Sequence, residues 1–485
     1  METTFVQNGA DAGELSSQAA SMKGVGVRSI MALLLQGGLR RYASRWQGAR
    51  SADCLYAASG LSIDGSQSAA WYGGFATGIW PFLWVTMAAT MTRTHQATDS
   101  TPPVPPGPAS GADPMWAHLQ QHIAHQGGWI GFDDFMVQAL YAPGLGYYTR
   151  GSTMFGAMPQ GLRTANGGVV GAGSDFVTAP EMTPLFGQAL ARQVAQALQA
   201  TGTDELWEFG AGTGALALQM LDALAALDVP VRRYTIVDLS QPLKARQQDT
   251  LRDYAGLVHW ASELPETLHG VVVGNEVLDA MPVKLLARVD GAWFERGVVW
   301  AETGDTSCLR WQDRPTDLRP PLDVPGDHNY LTEIHTQGEA FVRTLGERLK
   351  TGAIFLLDYG FPEAEYYHEQ RHMGTVMCHQ AHRADDNPLL DVGRKDITAH
   401  VNFTGIAVAA QDAGLGVLGY TSQAHFLINC GLVDALQAAS LADRSAGQKL
   451  ILEHEMGEFF KVIGLTQGEY WDAMGFAHGA RTHRL

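Results

Sequence analysis

From about residue 115 onward, apolar positions fall into blocks whose period switches between that of a helix and that of a strand. "MWAHLQQHIAHQGGWIGFDDFMVQALY" predicts two short amphipathic helices parted at Gly127-Gly128, and "PGLGYYTRG" a turn-rich loop. "TPLFGQALARQVAQALQAT" predicts a long helix. After it come "LWEFGAG" as strand, "ALALQMLDALAAL" as helix, "RYTIVDLS" as strand, "PLKARQQDTL" as helix and "GVVVGNE" as strand. This alternation predicts an α/β fold with a parallel, doubly wound, Rossmann-like sheet. "KLLARVDGAWFERGVVW" predicts a hairpin turning at Asp290-Gly291. "YLTEIHTQGEAFVRTLGERLK" predicts a helix and "GAIFLLDYG" another buried strand, whereas the last sixty residues read as mainly helical.

The first hundred residues have a different pattern. Residues 65–92 carry no charge and are long enough for a bilayer crossing of ~20 residues. Their glycines, proline and Ser/Thr/Gln weaken that reading, and a membrane or targeting role is the lesser expectation. "STPPVPPGPASGADP" then reads as a Pro/Gly-rich linker. Residues 1–112 are therefore expected to be a disordered or mis-started extension, with Met87 or Met91 as alternative starts.

Composition narrows the partners. Lys+Arg number 33 against Asp+Glu 50, a net charge of −17. A surface of that sign repels a phosphate backbone, so nucleic acid is not an expected partner, whereas a basic protein segment suits it. The four cysteines, Cys54, Cys308, Cys378 and Cys430, form no CxxC pair, which fits a reducing compartment and neither a disulfide framework nor a zinc knuckle.

Two stretches carry candidate chemistry. In "ELWEFGAGTGALALQML", Gly210, Gly212 and Gly214 alternate between a strand and a helix, where a backbone without side chains lets a nucleotide-like ligand lie close. Glu208 stands ahead of the glycines, and a carboxylate there repels a pyrophosphate but suits a phosphate-free cationic cofactor. The spacing resembles motif I of the class I S-adenosyl-L-methionine methyltransferases more than a dinucleotide fingerprint; a purely structural glycine turn is the bland alternative. Asp238, ending the next strand, can accept from ribose hydroxyls. In "VVVGNEVLDAMPVKLL", Asn275 and Glu276 should emerge at the carboxyl edge of the fourth strand, where open α/β sheets bind ligands. Asp279 lies at i+3 from Glu276, so one helical turn would bring both carboxylates to a common face. Alternatively, Asn275 simply caps a helix whose first turn favours acids.

Several longer segments resemble a particular family, the MidA-type methyltransferases, whose mitochondrial members are respiratory complex I assembly factors. They are "GFDDFMVQALYAPGLGYY", "SDFVTAPEMTPLFGQ", "GNEVLDAMPV", "LLDYGF" and "DNPLLDVGRKDITAHVNFTGI", in order from about 118 to 425. Ser174 stands where the family often has Gly, and Val277-Leu278 where it often has aromatics; residues 1–112 match nothing in it.

The resemblance implies a protein methyltransferase dependent on S-adenosyl-L-methionine, with arginine of a protein acceptor as the favoured target. An assembly chaperone with a vestigial site and a small-molecule methyltransferase are the alternatives. Glu276 and Asp279 are the expected catalytic carboxylates, with Asp358 as an outside candidate. Glu208, Gly210, Gly212, Gly214, Asp238 and Asn275 are expected to bind the cofactor. Thr178, Pro180 and Glu181 are expected either to close over it or to begin the helix that follows, with Thr183 as cap and Pro184 at its first position. His368, His372, His379 and His382 gather near Cys378 without metal-ligand spacing, so no metal is expected. Thr398, His400 and Asn402 recur at period two, as on one face of a strand; His400 is a lesser site candidate. The implied segments are a helical 113–200, a methyltransferase domain over 201–425 with insertions at 283–330 and 360–410 that shape a substrate region, and a helical 426–485. The expected compartment is cytoplasmic, or mitochondrial for a eukaryotic source, and a homodimer stays open.

Overall fold

The computed structural model describes residues 113–150 and 178–485, except 239, 304–305 and 381–382. The expected extension over 1–112 and His382 lie outside the described residues. The chain begins with α1 (Pro114–His125), a two-residue β1 (Ile130–Gly131) and α2 (Phe132–Tyr141). It continues with a single-turn α3 (Ala179–Met182) and α4 (Leu185–Thr201). The predicted alternation follows: β2 (Glu205–Phe209), α5 (Ala215–Ala226), β3 (Arg233–Val237), α6 (Gln241–Thr250), β4 (Val258–Ala261) and β5 (Leu268–Asn275).

Next comes an antiparallel meander of β6 (Lys284–Val289), β7 (Ala292–Thr303), β8 (Thr306–Pro315) and β9 (Tyr330–Ile334). Asp290 and Gly291, with φ of 49° and 77°, make the hairpin turn. Then follow α7 (Thr336–Arg348), β10 (Leu349–Phe361) and α8 (Glu363–Tyr366). A small sheet of β11 (Met377–Gln380), β12 (Arg383–Asp385) and β13 (Asp396–Thr398) leads to β14 (Val401–Asn402) and α9 (Phe403–Asp412). β15 (Gly416–Ser422), α10 (Gln423–Asn429), α11 (Leu432–Ala438), α12 (Leu441–Lys449) and β16 (Phe460–Gln467) complete the described elements that matter here.

The large sheet runs β15-β16-β10-β5-β2-β3-β4, with β14 also pairing to β10. β4, β3, β2, β5 and β10 are mutually parallel, and only β16 runs against its neighbours β10 and β15. Alternation along each strand sorts side chains to two faces. Leu206, Ile236, Val273 and Phe355 meet Phe186 and Leu190 of α4 and Met220 and Leu224 of α5. Trp207, Phe209, Val272 and Ile354 meet Phe341 and Leu345 of α7 and Ile406 of α9. Each such buried side chain contributes roughly 1.5–3 kcal/mol over its exposed state. Both faces being covered explains why the strands read as continuous apolar runs.

Some expectations are corrected. Tyr330–Ile334 is strand β9, not the start of a helix, because the open edge of β6 takes it up from Arg288↔Tyr330 to Lys284↔Ile334. The segment 426–485 is not simply helical: β16 sits inside the large sheet, paired to β10 from Gly352↔Gln467 to Tyr359↔Phe460, so the sheet cannot end at 425. Nor is 113–200 one unit. α1 and α2 place Met115, Trp116, Leu119, Ile123, Phe132 and Phe135 in a second core with Leu285, Val298 and Leu309 of the meander and Cys378 and Ile397 of the small sheet. α4 belongs instead to the core of the large sheet.

Candidate active site

Strand β2 ends at Phe209 and α5 begins at Ala215. The turn between them uses Gly210, Gly212 and Gly214 with φ of 65°, 53° and 86°, a backbone that side chains resist. A Cβ on Gly210 would also lie 3.2 Å from Val277 Cγ2, so this turn rests against the one that ends β5. Glu208 is buried and accepts a hydrogen bond from the Tyr234 hydroxyl at 2.7 Å. Burial pushes its carboxyl up to about 8, against the pull of the Tyr234 hydrogen bond.

Asp238 follows β3 and accepts from the Ser240 amide and from Gln247 Nε2, both at 2.8 Å. Gln247, fully buried on α6, donates from the same nitrogen to the Gly212 carbonyl at 3.0 Å and accepts from Trp260 Nε1 at 2.9 Å. It thus ties the glycine turn to Asp238, a role that no local sequence pattern marks.

The second turn differs from the helical one expected. Asn275 ends β5 and caps no helix; Glu276 takes φ 53°, and the chain turns around the buried carboxylate of Asp358. Asp358 Oδ2 accepts the amides of Val277, Leu278 and Asp279 at 3.1, 2.9 and 3.2 Å, while Oδ1 accepts the Tyr359 amide at 2.9 Å. Such a nest of amides is what a helix start would otherwise have offered to solvent or a cap. The outside candidate Asp358 is therefore committed to the backbone.

Glu276 and Asp279 nevertheless share one neighbourhood. Glu276 Oε1 accepts from Asn275 Nδ2 at 3.0 Å; Asp279 Oδ1 accepts the Ala280 amide at 2.8 Å and its Oδ2 the Tyr359 hydroxyl. Burial first, and then Asp279, raises the Glu276 carboxyl to about 8. Burial raises Asp279 to about 6. Burial, Asp279 and Glu276 also raise Asp358, with its amide donors opposing them.

The short helix α3 bridges the two turns. Thr178 precedes it without a side-chain cap bond, and Glu181 accepts from Thr213 Oγ1 in the glycine turn. Gln219 of α5 donates to the Pro180 carbonyl at 2.7 Å and accepts the Gly187 amide at 3.1 Å. On the other side the Ala179 backbone lies close enough to Glu276 to favour its charged form. At the start of α4 the cap is displaced by one residue: Pro184 takes the cap position, and Thr183 Oγ1 accepts the Leu185 amide at 3.4 Å.

Sequence patterns passed over three residues here. The Tyr141 hydroxyl donates to the Ala280 carbonyl at 2.9 Å, and its ring stacks on Tyr148 at 5.5 Å. The Tyr148 hydroxyl donates to Oδ1 of the buried Asp396 at 2.8 Å. Asp396 opens the same period-two stripe that marks Thr398, His400 and Asn402. That stripe is not one strand, since the chain breaks pairing at Ala399-His400 between β13 and β14. There the Ala399 amide donates to the Asp279 carbonyl at 3.0 Å. His400 lies between Tyr359 and Phe361, with ring centroids 5.2 and 5.3 Å away, and burial lowers it to about 4. No group of three or more His, Cys, Asp or Glu is placed to hold a metal among the described residues. Cys378 points into the second core, where burial pushes its thiol up to about 12.

A family model described as S-adenosyl-L-methionine-dependent methyltransferase matches residues 189–421, which include both turns. The crystal structure of a Burkholderia thailandensis protein bound to S-adenosyl-homocysteine shares 48% identity with a TM-score of 0.71, covering 76% of this chain and 96% of that one. A native crystal structure from the same organism gives 46% and 0.68 over 76% and 96%. The Caenorhabditis elegans protein named "Protein arginine methyltransferase NDUFAF7 homolog, mitochondrial" is 25% identical over 385 residues, 73% of this chain and 85% of that protein. The human protein arginine methyltransferase NDUFAF7, mitochondrial, is 25% identical over 353 residues, 66% and 74% of the two chains.

Proposed function

Since the chain belongs to the family of S-adenosyl-L-methionine-dependent methyltransferases, we propose that it methylates an arginine side chain of a protein acceptor. The residues of the glycine turn suit this cofactor. They offer a side-chain-free backbone for close approach, and carboxylates at Glu208 and Asp238 that answer a cationic ligand carrying hydroxyls. Thr178, Pro180, Glu181 and Asn275 would close the site from α3 and from the end of β5. The bound cofactor supplies a methyl on a sulfonium: the S–C bond breaks with its electron pair staying on sulfur, an N–C bond forms, and a proton leaves the acceptor nitrogen.

The observation that carries the acceptor reading is the Glu276 turn. It puts two carboxylates, Glu276 and Asp279, at the carboxyl edge of β5, directly beside the glycine turn. A guanidinium stays protonated in proteins and is a weak nucleophile. Carboxylates that hold it in a fork orient one nitrogen and stabilise the charge through the reaction. Glu276, raised to about 8, suits the proton that leaves the nitrogen near neutral pH. Relatives named mitochondrial support a mitochondrial location in a eukaryotic source. No helix among the described residues is long and apolar enough to cross a membrane.

The test is Glu276→Gln, which keeps volume and removes charge. It should leave the calorimetric affinity for S-adenosyl-homocysteine unchanged and reduce arginine methylation by roughly 100-fold or more. Undiminished methylation would remove Glu276 from the reaction. Rescue of a deletion strain by this variant without detectable methylation would instead mean that the protein works by binding.

A further inference from the structure

We propose that Asp396, held by Tyr148, is a third carboxylate of the acceptor pocket, and that the stacked Tyr141 and Tyr148 rings form the wall that selects a planar guanidinium over a lysine ammonium. The proposal rests on the arginine reading above.

A closed circuit of contacts ties these residues to the Asp279 turn. The Asp279 turn receives Tyr141 through the Ala280 carbonyl at 2.9 Å. Tyr141 stacks on Tyr148 at 5.5 Å, and Tyr148 holds Asp396 at 2.8 Å. The β13 segment that carries Asp396 returns to the same turn, where the Ala399 amide meets the Asp279 carbonyl at 3.0 Å. Three separate parts of the chain therefore converge on the Asp279 turn, three residues from Glu276: the segment from the end of α2 into the loop after it, the end of β5 and the small sheet. Both tyrosine hydroxyls are spent on these contacts, so what the pair offers a ligand is ring face. A flat, delocalised cation stacks on such a face, whereas a compact ammonium gains less there.

A separate observation points to a donor-rich ligand. Asn275 is 8% exposed, and its Nδ2 is committed to Glu276, yet its Oδ1 is buried with no hydrogen-bond partner among the described residues. An unmet acceptor in such a place costs stability unless something donates to it. A guanidinium carries five N–H donors and no acceptor, so it can serve Asn275 Oδ1 and several carboxylate oxygens together. Burial first, then Asp279 and last Asp396 raise the Glu276 carboxyl, as expected of a site whose counter-charge arrives with the substrate.

The experiment uses the full chain, a protein extract from cells lacking the gene, and radiolabelled cofactor. Methylarginine and methyllysine are separated after acid hydrolysis. Asp396→Asn should cut methylarginine by at least about tenfold while leaving thermal midpoint and S-adenosyl-homocysteine affinity unchanged, with part of the loss restored in Asp396→Glu. Tyr148→Phe, which keeps the ring and drops the hydroxyl, should give a smaller loss. Tyr148→Ala should raise the ratio of methyllysine to methylarginine. Wild type that yields no methylarginine overturns the arginine reading and this proposal with it. Wild-type methylarginine with unaltered yield in Asp396→Asn, or an unaltered ratio in Tyr148→Ala, overturns the proposal alone.

Discussion

Asp358 holds Glu276 in a left-handed backbone conformation by accepting the amide hydrogens of the three residues that follow it. A non-glycine residue at φ 53° costs roughly 1–2 kcal/mol, and the charge-assisted bonds to Asp358 offset that cost. The strain sits at the residue proposed to meet the acceptor, as expected where the fold over-determines a side chain's direction.

Asp358→Ala should therefore orphan four amides, those of Val277, Leu278, Asp279 and Tyr359, and destabilise the protein by ~3 kcal/mol or more, with loss of methyl transfer. Asp358→Asn should also cost stability. One amide oxygen can keep the three turn amides, but the NH2 then faces the Tyr359 amide that Oδ1 now accepts. Thermal unfolding of both variants checks this; an unchanged midpoint in Asp358→Asn would mean that the turn is held by its other contacts.

Charge in the acceptor site should depend on pH in two steps. A carboxyl raised to about 8 is neutral below that pH and ionises as pH rises, so Glu276 gains its acceptor-binding charge between about 7 and 9. Asp279, raised to about 6, ionises earlier. The acceptor kcat/KM of the wild type should climb through both and level off above about 9. In Glu276→Gln the upper rise should vanish while the lower one stays, which a pH–rate profile at saturating cofactor reads directly.

The legible part of the site is the part that local pattern determines. Gly210, Gly212, Gly214, Glu208 and Asp238 stand at strand ends in an alternating run, so their place at the sheet edge followed from periodicity alone. The turn at 276–279 misled because its amides are claimed by Asp358, 79–81 residues later, so a helix-like spacing became a nest. Tyr141 reaches a carbonyl 139 residues away and Tyr148 a carboxylate 248 away, and neither bears a local mark. β9 and β16 were hidden for the same reason: what makes them strands is an open neighbour, β6 or β10, that no window around them contains.

Gln247 tests that non-local wiring. Gln247→Leu keeps the helix but removes the links to Gly212 and Asp238 and leaves Trp260 Nε1 without its acceptor, so affinity for S-adenosyl-homocysteine should fall by roughly tenfold and stability by about 1–3 kcal/mol. Gly212→Val, by contrast, forces a branched residue to φ 53° and should abolish binding. Calorimetry separates the two, and equal affinities in Gly212→Val and wild type would refute the glycine-turn assignment.

The lower boundary of the folded unit should lie just before Asp113. Its carboxylate caps α1 through the Met115 amide at 2.9 Å and pairs with Arg394 at 2.8 Å. A chain of residues 113–485 should unfold cooperatively and bind S-adenosyl-homocysteine as the full chain does, whereas removal of Asp113 as well should cost ~1 kcal/mol from the lost cap. Insoluble or non-cooperative 113–485 would place the boundary further upstream.

Glu208 should set cofactor affinity against stability. Its carboxyl is raised from the ordinary range to about 8 by burial beside Tyr234. The folded state therefore binds a proton that the unfolded state has already lost above about 4.5. Stability from this group is complete below that pH and drains away as pH rises toward about 8. Glu208→Gln keeps an oxygen for the Tyr234 hydroxyl and has no proton to lose. The ligand-free variant should match wild type near pH 5 and exceed it by ~1 kcal/mol or more at pH 8, a gain of a few degrees in thermal midpoint. Affinity for S-adenosyl-L-methionine should move the other way, because the cation loses a carboxylate beside the glycine turn. Thermal scans at both pH values and a calorimetric titration measure the two effects separately. A variant less stable than wild type at pH 8 would show that Glu208 is held ionised by a partner, and one with unchanged affinity would place the cofactor's charge elsewhere.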